Sequence, residues 1–158
     1  MKLSHVDASG RPRMVDVSGK EVTARTAVAE GVIRVSSETF AVIEEETGPK
    51  GNVLATAELA GSMATKRTAE LIPLCHTIPL THADVSAVLE PDLPGVRVTA
   101  TVRATARTGV EMEALTAVSV ALLTVYDMVK ALGHGMEIGE IRLLEKTGGA
   151  HGEWRGET

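Results

Sequence analysis

Aromatic side chains are almost missing from this chain of 158 residues, which holds one Phe, one Trp and one Tyr. Its core must therefore be built from Val, Ala, Leu, Ile and Met, and small side chains let backbones approach closely. Surfaces that read single-stranded RNA stack bases on exposed aromatics, so that class starts at a disadvantage. Cysteine is as scarce: the single Cys75 excludes an internal disulfide framework and fits a reducing compartment. Positive charge is in the minority, 16 Lys and Arg against 21 Asp and Glu, and the resulting formal charge of −5 argues against a general nucleic-acid binder. An apolar N-terminal leader is lacking, and so is any uncharged apolar run of about 20 residues. We therefore expect no membrane partner and a cytoplasmic location.

What remains is a 44% hydrophobic chain of a length that suits one domain. Residues 1–24 lack sustained periodicity and read as a flexible arm. Arg25–Ser36 alternates Ala27, Ala29, Gly31, Ile33 and Val35 against polar neighbours, the pattern of a strand. Ser36 or Ser37 caps a short helix that runs to Glu46, and Asn52 caps a longer one from Val53 to Ile72. "THADVSAVLE" and "VRVTATVRATAR" alternate on either side of the turn Pro91–Gly95 and predict a hairpin. A long helix follows from Gly109 to Lys130 and ends at "GHG". In the last strand, "MEIGEIRLLEK", the apolar phase switches, which predicts a bulge near Gly139. The expected fold class is α+β: a ferredoxin-like split βαβ, an antiparallel sheet with helices packed on one face. The catalytic domain spans residues 25–149 and residues 150–158 read as a tail. The other sheet face, rich in Thr and Arg, is solvated or covered by another subunit.

The long helix carries the first sign of chemistry. At about 100° per residue, Glu113, Thr116, Thr124, Asp127 and Lys130 share one stripe, with Ser119 at its edge and Glu111 off it. An ordinary solvated face would be richer in Lys and Glu. Small hydroxyls between few charges read as the wall of a groove that something else fills. Glu113 and Asp127 stand about 21 Å apart along the axis, too far for one small substrate to bridge within a chain. Two such helices, antiparallel about a two-fold axis, bring one chain's Glu113 towards the other's Asp127 and Lys130. The expected site is shared between subunits. Asp127 and Lys130, three residues apart, are either a plain surface ion pair or an acid–base couple.

Other candidates are weaker alone. Cys75, His76 and His82 lack the paired spacing of a metal site, so no metal is expected. Cys75 reads more naturally as a small buried hydrophobe than as a nucleophile. His76, in a segment flanked by Pro73 and Pro79, is a better candidate for a held imidazole. Lys50 and Gly51 precede a helix whose N–H groups can meet an anion, and Lys146 stands near Gly148 and Gly149. With Lys130 and the sheet's arginines, these lysines allow a phosphorylated ligand despite the negative total.

The segments "MVDVSGK", "KGNVLATAELAGSMATKRTAELIPLCH", "TGVEMEALTAVSVALLTVYDM" and "GEIRLLEKTGG", in this order, resemble the MoaC family. These are the cyclic pyranopterin monophosphate synthases, lyases of molybdenum cofactor biosynthesis. The resemblance implies a homohexamer, a trimer of dimers, with its site at the dimer interface. It implies that a cyclised dihydro-GTP, supplied by a radical SAM GTP cyclase, becomes cyclic pyranopterin monophosphate and pyrophosphate. By matching positions, Asp127 and Lys130 are the catalytic residues. Leu74, Cys75, His76, Met112, Glu113, Lys50, Lys146 and Arg25 are the substrate-binding ones. No resident cofactor is implied, Mg²⁺ with the phosphates being the one ion such a substrate invites. The chain departs from the family's pattern at Thr77, where many members carry proline, and at Gly133–Gly135. The rival reading is a non-enzymatic ferredoxin-like module that binds a phosphorylated ligand and releases it unchanged.

Overall fold

In the computed structural model, which describes residues 5–7, 9–150 and 152–156, regular structure begins with β1 (Thr23–Arg34). Alternation makes this strand, for Ala27, Ala29 and Ile33 are fully buried on its helix-covered side. The Ser36 hydroxyl accepts from the Thr39 N–H at 3.1 Å and caps α1 (Ser37–Glu44). Asn52 does the same for α2 (Val53–Thr65), accepting from the Ala55 N–H at 2.8 Å. The single helix expected from Val53 to Ile72 is in fact two, since α2 stops at Thr65 and one turn, α3 (Thr68–Leu71), follows. Two buried threonines accompany the break. Thr65 donates to the Ser62 carbonyl and Thr68 to the Thr65 carbonyl, competing for acceptors that a continuing helix needs.

The hairpin is β2 (Leu80–Glu90) and β3 (Gly95–Ala106). The long helix α4 (Glu111–Val129) runs into a 3₁₀ turn, Lys130–Leu132, before β4 (Glu137–Thr147). The segment read as a tail adds a short edge strand, β5 (Trp154–Arg155), paired with β4. The remaining parts of the arm and tail readings, residues 1–4, Ala8, His151 and residues 157–158, lie outside the described residues. Strand order is β2-β3-β1-β4-β5 with every neighbouring pair antiparallel, the split βαβ plan.

α4 lies against β1, β3 and β4 on one face of the sheet, with α2 along its flank. Its apolar run, Glu111–Leu132, has the length and the hydropathy, 1.6, of a membrane-crossing helix, but here the run is a core element. Small residues set the distance to α2: a Cβ on Gly61 would stand 3.0 Å from the Ala117 carbonyl oxygen. On the open face Glu30, nearly buried, accepts from Arg142 at 2.8 Å, while Arg97 donates to Glu90 at 2.7 Å. Arg97 and Arg142 are thus paired with carboxylates of their own sheet.

β4 bulges twice against β1. The shift opposite Glu30 and Val32 falls between Gly139 and Arg142, where Glu140 has φ 54°, close to the expected place. The second, between Leu143 and Glu145, has no signature in the apolar pattern. It matters more, because one extra residue moves every later side chain to the opposite face. Lys146 thereby becomes the partner of Ala27, on the helix side of the sheet, rather than of Thr26 on the open side.

Candidate active site

Two adjoining cavities open where α4 begins. The first, about 490 Å³, is walled by Arg25 and Thr26 of β1, by Arg107, Thr108, Gly109 and Glu111 at the start of α4, and by Lys146 to Ala150 after the bulge. Lys20 and Glu21 of the arm close one side. The second, about 400 Å³, is lined by Leu74, Cys75 and His76, by Met112 and Glu113, and by Val15 and Val17 of the arm. Lys20, Thr108, Gly109 and Glu111 border both.

The bulge in β4 delivers Lys146 to the first cavity, where its ammonium meets Glu111 at 2.8 Å. Glu111 folds back over Gly109, and a Cβ there would lie 1.9 Å from its carboxylate oxygen, so a larger residue would displace the carboxylate from this position. Arg25 donates from Nε to the Ala106 carbonyl at 3.4 Å and from Nη2 to the Arg107 carbonyl at 3.3 Å. Gly148 and Gly149 make space for it. Both have positive φ, 96° and 79°, and a Cβ on Gly149 would stand 1.9 Å from Arg25 Nη1. A Cβ on Gly148 would stand 2.1 Å from the Ala24 carbonyl oxygen and 3.1 Å from Arg25 Cδ, so the pair leaves room for β1 and its arginine.

In the second cavity Glu113 is 4% exposed. Burial, with a smaller contribution from the Glu111 charge, pushes its carboxyl above the ordinary range. No cation lies within salt-bridge distance of it among the described residues. The neighbouring Cys75 thiol is pushed up by burial and by Glu113, so it stays protonated at neutral pH and is no nucleophile. His76 Nε2 sits 2.8 Å from the Val15 carbonyl oxygen. A carbonyl only accepts, which makes Nε2 the protonated nitrogen.

Lys50, Asp127 and Lys130 line neither cavity. They meet at the far end of α4, where Asp127 Oδ1 lies 2.7 Å from Lys130 Nζ and Oδ2 lies 2.8 Å from Lys50 Nζ. Lys50 also donates to the Asp127 carbonyl at 2.9 Å. The hydrogen bond from Lys130, then that from Lys50, holds the Asp127 carboxyl down to about 2. Asp127 in turn raises Lys130. Lys50 is thus engaged with α4, and Asn52 caps α2 by taking the Ala55 N–H. The stripe is also less uniform than a groove wall. Glu113 and Thr116 are buried within the chain, and the Ser119 and Thr124 hydroxyls donate to the carbonyls of Leu115 and Val120 in their own helix.

One chain therefore assembles Arg25, Leu74, Cys75, His76, Met112, Glu113 and Lys146 at one end of α4, and Lys50, Asp127 and Lys130 at the other. Three members of the first end escape a reading based on helix periodicity: Glu111, Lys20 and Arg107. Glu111 lies off the polar stripe, and Lys20 and Arg107 meet only through the register of β1 with β3, which pairs Thr23 with Ala106.

The sequence was compared with known proteins. It is 59% identical over 152 residues, 96% of each chain, to a cyclic pyranopterin monophosphate synthase of Cereibacter sphaeroides strain KD131. A protein of that name from Dinoroseobacter shibae is 56% identical over 155 residues, 98% of each chain. Another from Brucella ovis is 55% identical over 153 residues, 97% of this chain and 93% of that one. The sequence model of the MoaC family matches residues 14–149, which takes in both ends of α4 and all of the cavity lining but His5 and Ala150, and the chain belongs to that family.

Proposed function

We propose that this protein is a cyclic pyranopterin monophosphate synthase, a lyase of molybdenum cofactor biosynthesis. It converts a cyclised dihydro-GTP into cyclic pyranopterin monophosphate and releases pyrophosphate. The observation that carries the reading is the pairing of the cavities: one walled by four cations, beside one that holds a buried carboxylate with no counter-ion among the described residues. The first suits a triphosphate, with Arg25 and Lys146 placed to neutralise the charge of departing pyrophosphate. The second suits the purine-derived rings, with the half-buried Leu74 and Cys75 and the exposed Met112 as its wall.

Protons move in the second cavity. A buried carboxylate with a raised pKa is matched to proton transfer near neutral pH, and Glu113 is that group here. His76, its Nε2 proton engaged by Val15, offers Nδ1 as the acceptor. Asp127 and Lys130 lock one another in their charged forms, so they contribute fixed charge to the reacting centre. They reach that centre from a second copy of the chain. The span of α4 supports this, and the exposed Leu59, Met63 and Leu123 on α2 and α4 give such a copy an apolar face to cover. The assembly is a homohexamer, three dimers together, in the cytoplasm, fed by a radical SAM GTP cyclase. No cofactor is resident, and Mg²⁺ accompanies the phosphates if any ion does.

Incubation of the purified protein with the cyclised dihydro-GTP tests this. Stoichiometric pyrophosphate and the pterin product are expected. Recovery of the ligand unchanged would replace the enzyme with a binding module.

A further inference from the structure

Residues 15–20 of the arm run along the border of the two cavities. Val15 and Val17 line the second, and Lys20 lines both. Among the described residues, two side chains of the folded body hold this strap by hydrogen bonds, one near each end. His76 Nε2 holds the Val15 carbonyl at 2.8 Å, and Arg107 Nε donates to the Lys20 carbonyl at 3.1 Å. Both anchors take backbone oxygens, so the strap is gripped by its path and not by its side chains. Each anchor also lines a cavity, His76 the second and Arg107 the first.

Arg107 stands at a junction. Its Nε holds Lys20, its own carbonyl accepts from Arg25 Nη2 at 3.3 Å, and its terminal nitrogens have no hydrogen-bond partner among the described residues. The first cavity is walled by Lys20, Arg25, Arg107 and Lys146 against Glu21 and Glu111, a surplus of positive charge in a chain whose formal total is −5. Glu111 pairs with Lys146, whereas no carboxylate stands within 4.0 Å of the charged nitrogens of Lys20, Arg25 or Arg107 among the described residues. Cations crowded in this way repel one another until a polyanion sits between them. A guanidinium is a rigid planar fork, so fixing Nε on one acceptor aims the remaining donors, and fixing those donors aims Nε. An ammonium on a flexible stem cannot transmit orientation in this way.

We propose that Arg107 is a positioning residue that couples polyphosphate in the first cavity to closure of the strap. An anion on its terminal nitrogens holds the fork in plane, which keeps Nε on the Lys20 carbonyl. The strap then stays down between the cavities and presents the Lys20 ammonium to the same anion. The proposal rests on the reading that the first cavity takes the triphosphate, and it adds a residue and a coupling that reading does not contain.

The test is trypsin cleavage after Arg13, just ahead of the strap, with and without inorganic tripolyphosphate, followed by mass spectrometry in the full chain. Tripolyphosphate should slow this cleavage several-fold in the natural protein. Arg107→Gln should lose the protection, and Arg107→Lys, which keeps the charge but not the fork, should lose most of it. Lys20→Ala keeps the carbonyl and should keep the protection. In turnover assays Arg107→Gln should raise KM roughly tenfold, the size of one charge-assisted hydrogen bond, with kcat much less affected. Protection of Arg107→Gln equal to the natural protein's overturns the proposal. So does natural protein that tripolyphosphate leaves unprotected, or Lys20→Ala as unprotected as Arg107→Gln. Protection that depends on Arg107 in a protein that turns over no substrate leaves the strap standing and removes the proposed reaction.

Discussion

Mixing two inactive variants gives a number that one chain alone cannot produce. Glu113→Gln disables the cavity end of α4, and Asp127→Asn disables the far end, where Asp127 joins Lys50 and Lys130. The two positions are about 21 Å apart along a continuous helix, so no substrate the size of a nucleotide touches both in one chain. Suppose each site draws Glu113 from one chain and Asp127 from its partner across a two-fold axis. A dimer of the two variants then holds one site with both natural ends and one site with neither. Random exchange of equal amounts makes about half of the dimers mixed, so about a quarter of the natural activity returns. Dimers purified through a different tag on each variant should reach about half. The assay is pyrophosphate release after the variants have been refolded together, with each variant refolded alone as the baseline. If every site lies within one chain, the mixture stays at that baseline. Mixed dimers confirmed by both tags and still inactive would refute the shared site.

Other predictions are shorter. Lys130→Ala should abolish turnover while leaving the melting temperature in place, since its ammonium lies in an exposed ion pair; pyrophosphate release beside a thermal melt checks both. Glu113→Gln should raise the melting temperature at neutral pH, because the buried carboxylate with a raised pKa opposes folding when ionised. That gain should shrink as pH falls through the raised folded pKa and vanish below the unfolded value of about 4.3, where both side chains are neutral; melts from pH 4 to 8 read it. Gly61→Leu should lower stability by about 1–3 kcal/mol in urea unfolding, since a Cβ at that position already sits 3.0 Å from both the Ala117 carbonyl and Val85.

Most of the fold is legible because its signals are local. The alternation in β1, β2 and β3 and the Ser36 and Asn52 caps each need only a few neighbouring residues to be recognised. The break after Thr65 is not legible, because Lys66 and Arg67 continue a good helical composition and only the hydroxyl contacts of Thr65 and Thr68 go against it. The second bulge of β4 escapes for a related reason. "IRLLEK" is apolar at three positions, so a strand of either phase satisfies the pattern. Only pairing with Ala29 on one side of the extra residue and with Val28 on the other settles which face Lys146 takes. Contacts across the sheet decided that lysine's place, and no window along the chain contains them.

The site divides along the same line. Helix periodicity separates Glu113 from Asp127 and so foresees two ends, but it treats the carboxylates alike. Their surroundings make them different acids. Asp127 lies between two ammonium groups in solvent, its carboxyl at about 2, and a lysine raised by that same pair is fixed as its cation. A couple held so firmly in its charged forms exchanges no proton near neutrality. Glu113 has lost its water without gaining a cation among the described residues, so its two protonation states are closer in free energy at working pH. Division of labour follows from this asymmetry: the solvent-facing end brings permanent charge, and the buried end changes charge. Joining them in one chain would quench both, because a lysine beside Glu113 would pull its pKa down and remove the very property that suits it to proton transfer.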